Sequence, residues 1–183
     1  MNESRLFIKD IGGLDKKISS YEYILSSINS NYLMSFTKED FSFGENGKPY
    51  LDAFSHSFNL SHSEDLIALI VSDNKADVGI DIQVVRDRYS TEKIAERAFS
   101  ESERTWMGDK KDGFFRLWSM KEALIKAHGG SIWDAKRYGD VTSRLSDFDS
   151  FFIIHKEKRY YLSIYPRQGE ISLPSEFSIT RLL

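Results

Sequence analysis

The sequence of 183 residues contains no cysteine, which excludes disulfide scaffolds, thiolate-held zinc, iron–sulfur clusters and thiol catalysis. Proline occurs only three times, and no Pro/Gly/Ser linker, low-complexity tract or charge block divides the chain. Long apolar runs are missing too. The longest, Leu66 to Val71, falls far short of the roughly 20 residues of a membrane span. Met1-Asn2-Glu3-Ser4-Arg5 has no basic-then-apolar leader pattern. There is no cationic surplus, because 25 Lys and Arg face 28 Asp and Glu for a net charge of −3, whereas a phosphate backbone demands an excess of positive charge. These absences predict a cytoplasmic protein that binds neither nucleic acid nor membrane. What is present, 40% hydrophobic and 14% aromatic residues, suffices for a compact core. The length predicts about one domain, with room for two small lobes.

Periodicity supplies the elements. Leu14, Ile18, Tyr21, Ile24, Leu25 and Ile28 recur at i, i+4, i+7 spacing and predict an amphipathic helix over 14–30. Gly44 to Pro49 reads as a loop. Leu66–Val71 is too short for a free-standing helix and rich in β-branched residues, so a buried strand is expected. The polar stretch Ser72–Asp77 then turns the chain into a second strand, Val78–Ile82, forming a hairpin. Residues 91–99 and 112–128 read as helices, the latter capped by Gly129-Gly130. A later hairpin joins Phe151–Ile154 to Tyr160–Tyr165 through the polar turn Lys156–Arg159. Each half would then hold a helix and a hairpin, a bilobal α+β domain with lobes at about 1–85 and 86–183.

Four clusters carry chemistry, each beside a plainer reading. In Phe58-Asn-Leu-Ser61-His62-Ser63, a hydroxyl, an imidazole and loop amides are available to one anion; equally, His62 ends a loop. In Gly79-Ile-Asp81-Ile-Gln83, strand alternation puts Asp81 and Gln83 on one face and Ile80 and Ile82 on the other. Two side-chain oxygens there suit a hard cation such as magnesium, or form a polar sheet face meeting water. In the helix Phe114 to Lys126, Glu122 interrupts the apolar stripe of Phe115, Trp118 and Ile125. A carboxylate in that place is costly unless paired, or it forms an ordinary i, i+4 pair with Lys126 worth about 0.3–0.5 kcal/mol. Ser100 and Glu103 make a capping box, a sufficient structural reason for both. His56, His128 and His155 show no metal spacing, and no glycine-rich phosphate loop or nucleophile elbow occurs.

Taken together and in order, Gly47-Lys48-Pro49, Phe58-Asn-Leu-Ser-His-Ser63, Val78-Gly-Ile-Asp-Ile82, Phe99 to Glu103 and Phe115-Arg-Leu-Trp-Ser-Met-Lys-Glu-Ala-Leu-Ile-Lys126 resemble the motif series of the 4′-phosphopantetheinyl transferases. The likeness is to the larger, surfactin-synthetase-type group and covers about residues 44–130. It implies two similar α+β halves related by a pseudo-twofold axis, with coenzyme A in the cleft between them. The implied reaction moves the 4′-phosphopantetheine arm of coenzyme A onto a serine of an acyl or peptidyl carrier protein, with release of 3′,5′-ADP. Carried over by position, Asp81, Gln83 and Glu122 would hold magnesium, and Lys126 would contact the pyrophosphate. Lys48, Ser61 and His62 would bind the 3′-phosphate end. Glu103 matches the family's third acidic position, assigned to the metal or to deprotonating the carrier serine. With both halves in one chain, a monomer is sufficient.

Two departures stand out. The family usually has Glu where this chain has Gln83, so one negative charge is lost and magnesium should bind more weakly or through a water. The N-terminal half is short, and the basic residues used there for the 3′-phosphate have no match; Lys16 and Lys17 are nearby but unassigned. The competing functions are a degenerate module that holds coenzyme A or a carrier without transfer, and a magnesium-dependent phosphohydrolase.

Overall fold

A computed structural model describes residues 3–12, 16–44, 46–73, 76–86, 91–108 and 111–182. Leu14 and the turn residues Asn74 and Lys75 lie outside this set, as do the side chains of Lys16, Lys17 and Ile18. Among the described residues ten strands and four α-helices follow one another: β1 (Ser4–Asp10), α1 (Lys16–Tyr32), β2 (Phe41–Phe43), β3 (Pro49–Leu51), β4 (Phe58–Ser63), β5 (Leu66–Val71), β6 (Gly79–Val84), α2 (Glu92–Ala98), α3 (Glu101–Met107), α4 (Lys111–Ala127), β7 (Asp149–His155), β8 (Lys158–Tyr165), β9 (Ile171–Ser172) and β10 (Ser178–Leu182).

The described strands form two four-stranded sheets, β4-β5-β1-β9 and β10-β7-β8-β6, and a small β2-β3 ribbon. Every residue of β5 is buried because the strand is central and covered on both faces, which is why its sequence shows an unbroken apolar run. Leu66, Ala68 and Ile70 join a core shared with Ile80, Ile82, Val84, Leu162 and Ile164 of the other sheet. Leu69 and Val71 turn the opposite way, toward Ile24 and Ile28 of α1. On the second sheet, α4 covers the face opposite the shared core with Phe114, Phe115, Leu117, Met120 and Leu124. The chain is thus an α+β fold in which two sheets share one inner core and each carries a helix outside.

The late hairpin pairs as expected, with Ile153 opposite Tyr160. The early one does not form between Leu66–Val71 and Val78–Ile82. β5 instead turns back on β4 and lies between β4 and β1, while β6 crosses to the second sheet and pairs with β8. β5 already has hydrogen-bonding neighbours on both sides, so it has no edge to offer β6. β6, which precedes residue 85, thus belongs by pairing to the second sheet. Each half now reads strand, helical segment, antiparallel hairpin, with the hairpin's second strand beside the opening one: β1, α1, β4–β5 and β6, α4, β7–β8.

Candidate active site

The segment containing Ser61 and His62 is a strand, not the loop expected from its serines. Its alternate amides belong to the ladder with β5, where Ser61 faces Ala68 and His62 faces Ile67, so the segment offers an anion no loop of amides. Alternation along β4 leaves Ser61 buried and His62 exposed. The edges of the two sheets, β4 and β6, run side by side, and over this junction lies a cavity of about 560 Å³. Ser20, Tyr21 and Ile24 of α1 form one wall, Glu122 and Lys126 of α4 another, and Asn59, Leu60, Ser61, His62, Asp81 and Gln83 the floor.

Asp81 is the centre of the polar network, at only 2% exposure. Lys126 Nζ donates to its Oδ1 at 2.6 Å and to Ser61 Oγ at 3.0 Å. Ser61 Oγ donates to the same Oδ1 at 2.8 Å, and Gln83 Nε2 donates to Oδ2 at 2.8 Å. The shared face of Asp81 and Gln83 is therefore a lined cavity rather than a polar sheet surface meeting water. Lys126 reaches across from α4 to β6 to make this bond, joining helix and sheet beyond any local pairing with Glu122. Burial and the neighbouring Asp81 charge push the Glu122 carboxyl up to about 7, with Lys126 pulling the other way.

Asp81 and Glu122 both line the cavity, and magnesium takes one or two carboxylates plus phosphate and water oxygens, so these two side chains fit such an ion. Among the described residues no three His, Cys, Asp or Glu side chains converge on a metal position, and Gln83, at the third position, turns its amide nitrogen to Asp81.

Two expected site residues are elsewhere. Lys48 is not among the residues lining the cavity. Its Nζ donates to the carbonyls of Val78 (3.1 Å) and Ala127 (3.4 Å) and meets Asp77 at 3.5 Å, stapling the β2–β3 loop to the start of β6 and the end of α4. Burial pushes this ammonium down, opposed by Asp77. Glu103 is also remote from Asp81's network. It is 0% exposed, and its oxygens accept from Lys121 Nζ (2.7 and 2.8 Å), from the Ser100 amide (2.8 Å) and from the Val141 amide (2.9 Å). Lys121, equally buried, also donates to Gly139 O at 2.9 Å. A carboxylate with every direction engaged and no access has no oxygen for a metal or a serine proton. It is the capping box that the sequence shows, strengthened by a buried ion pair that ties α3 to α4.

Sequence reasoning did not find Lys121, although it stands inside the Phe115–Lys126 segment one residue before Glu122. Tyr21 and Ile24 were legible only as a helix stripe; their position at the cavity comes from the packing of α1 beside β4.

A family model described as the 4′-phosphopantetheinyl transferase superfamily matches residues 77–178, more than half of the chain. Three relatives illustrate the similarity. The 4′-phosphopantetheinyl transferase AcpT of Salmonella typhi is 42% identical over 97 residues, 50% of each chain. The 4′-phosphopantetheinyl transferase gsp of Aneurinibacillus migulanus is 36% identical over 115 residues, 60% of this chain and 44% of its own. The 4′-phosphopantetheinyl transferase psf-1 of Bacillus pumilus is 38% identical over 128 residues, 66% and 52% respectively. The chain thus spans about half the length of the curated relatives it matches.

Proposed function

Because the chain belongs to the 4′-phosphopantetheinyl transferase superfamily, we propose that it transfers the 4′-phosphopantetheine arm of coenzyme A to a serine of an acyl or peptidyl carrier protein, releasing 3′,5′-ADP. The observation that carries this reading is the meeting of Asp81, Glu122 and Lys126 over the β4–β6 junction, in a cavity that Ser61 and His62 also line. The serine oxygen forms a bond to the β-phosphorus of coenzyme A, the bond from that phosphorus to the bridging oxygen breaks, and the electron pair leaves with 3′,5′-ADP. Lys126 is the cation that meets the growing charge on the leaving phosphate. Asp81, Glu122 and the Gln83 amide oxygen would hold magnesium, which would supply further neutralisation of the pyrophosphate.

The proton from the serine passes to water in the cavity, because Glu103 is buried and engaged and Glu122 is one of the carboxylates that would hold the ion. Ser61 holds Asp81 and Lys126 in place, and Ser61 and His62 face the 3′-phosphate end of the nucleotide. Ser20, Tyr21 and Pro49 line this cavity from the N-terminal part of the chain, and Lys16 and Lys17, whose side chains lie outside the described residues, remain unassigned. Glu103 acts through Lys121 as a brace for α4. The two halves share a strand–helix–hairpin order, which supports a pseudo-twofold, bilobal single domain and hence a monomer. No helix among the described residues is long and apolar enough to cross a membrane, and with zero cysteine this supports a cytoplasmic location.

The test is to incubate the protein with coenzyme A, magnesium and several apo carrier proteins and to weigh the carriers. A gain of the phosphopantetheine mass, lost in Asp81→Ala, is expected. Binding of coenzyme A without any gain would favour a non-catalytic module, which the Gln83 amide bonded to Asp81 makes the second reading. Consumption of coenzyme A without a carrier would mean hydrolysis.

A further inference from the structure

We propose that Asn59 and Ser63 are positioning residues: with Ser61 between them, they stand in for a missing neighbour strand along the open edge of β6 and so fix Asp81 and Gln83 at the cavity. The inference rests on the transferase reading above for the reaction it serves, although the contacts themselves do not.

The argument starts from an edge. β6 pairs with β8 on one side only and ends its sheet on the other, so alternate amides along it have no backbone partner. Those amides are buried, where an unpaired N–H is costly. The structure satisfies three of them in step. Ile80 N donates to Asn59 Oδ1 at 3.0 Å, Ile82 N to Ser61 Oγ at 3.3 Å and Val84 N to Ser63 Oγ at 3.0 Å.

The three acceptors sit at alternate positions of β4 and therefore share one face; the three donors alternate along β6. Side chains leave the plane of a sheet while amides lie within it, so this match exists only where face and edge meet. Asn59 and Ser63 are 7% and 8% exposed, and their acceptors reach the residue before Asp81 and the residue after Gln83.

The consequence is register. Asp81 and Gln83 belong to one sheet, whereas Ser61, His62 and Leu60 belong to the other. Nothing in a backbone ladder fixes one set against the other at this point, because β4 and β6 make no ladder with each other. The side-chain zipper does so, at a spacing of two residues. A slip by one residue would present Phe58, Leu60 and His62 to the β6 amides, and neither Phe58 nor Leu60 carries a side-chain acceptor.

Three variants test this in the full chain. Ser63→Val has the shape of Ser63→Thr but lacks the hydroxyl, so the pair isolates the oxygen from the packing. Amide exchange read residue by residue, together with kcat and KM for coenzyme A, gives two independent readouts. Expected for Ser63→Val are exchange at Val84 at least tenfold faster, a kcat about tenfold lower and a KM within twofold. Ser63→Thr should stay within twofold of wild type throughout. Ile153→Val, in the shared core but away from this junction, should lower Tm without altering kcat.

Should Ser63→Val be insoluble, Asn59→Leu removes the Ile80 acceptor and is read in the same way. Wild-type exchange and kcat in the oxygen-less variant, or an equal loss in Ser63→Thr, overturns the proposal while leaving the transferase reading untouched. Absence of transfer by the wild type overturns the transferase reading and the positioning role with it, even where exchange responds.

Discussion

Glu122 stands where a helix stripe meets a second carboxylate, and its position has a measurable thermodynamic consequence. Between the ordinary carboxyl value of 4.5 and the folded value of about 7, the folded chain holds a proton that the unfolded chain has lost. Stability therefore falls as pH rises through that window. Without magnesium, Glu122→Gln should raise Tm at pH 8 by about 3–6 °C and leave it unchanged at pH 4.5. Added magnesium should stabilise the wild type at pH 8 and do less for the variant, and a lower Tm for Glu122→Gln at pH 8 would contradict the burial argument.

At the neighbouring position, Gln83→Glu restores a carboxylate beside Asp81. The magnesium concentration for half-maximal transfer should fall, and an unchanged or higher requirement would remove Gln83 from the metal set. Glu103 is the opposite case. Removing one member of a buried pair costs about 3–5 kcal/mol, so Glu103→Gln should melt roughly 10 °C lower yet transfer within tenfold of wild type while folded. A lost kcat with unchanged Tm would return Glu103 to direct catalysis.

At the scale of elements, the site depends on how closely α4 lies on β6. A Cβ added to Gly79 would overlap the carbonyl oxygen of Ala123 and the amide nitrogen of Ala127. These are the residues that directly follow Glu122 and Lys126. Gly79→Ala must push the helix away from the strand, a cost of about 1–3 kcal/mol, and part Lys126 from Asp81. A lowered urea midpoint together with lost transfer is expected; full activity in Gly79→Ala would show that the helix–strand distance is not critical. The sequence marks both partners, because an interrupted helix stripe and an alternating strand are local patterns. It does not mark their approach, since a glycine opening a strand has many explanations and only α4 lying against it selects one.

The whole molecule is held by a core that neither half owns: Leu6, Ile8, Ala68 and Ile70 from one sheet meet Ile80, Ile82, Phe151 and Leu162 from the other. Further ties join the halves at the far end, where His155 meets Asp10 at 2.8 Å and Lys158 meets Glu64 at 2.7 Å. The halves should therefore unfold together. All three tryptophans, Trp106, Trp118 and Trp133, lie in the second half, so fluorescence reports that half while far-UV circular dichroism reports both. Coincident urea midpoints are expected; an early dichroism change ahead of fluorescence would mean that the first half opens alone.

By itself, the sequence determined the types of α1, α4, β5, β6, β7 and β8, though not the strand β4, together with the motif order of the family it resembles and the residue kinds at the cavity. Asp81, Gln83, Glu122 and Lys126 could be singled out because strand and helix periodicity are properties of neighbours along the chain. Only the tertiary structure decided which strands pair, because pairing depends on which edges are already taken: β5 is flanked by β1 and β4, so β6 had to join β8. For the same reason it decided that Lys48 and Glu103 lie outside the cavity. A cation or carboxylate has the same local sequence signature whether it faces a ligand or a buried partner, and Lys121 of α4 is the buried partner that Glu103 meets.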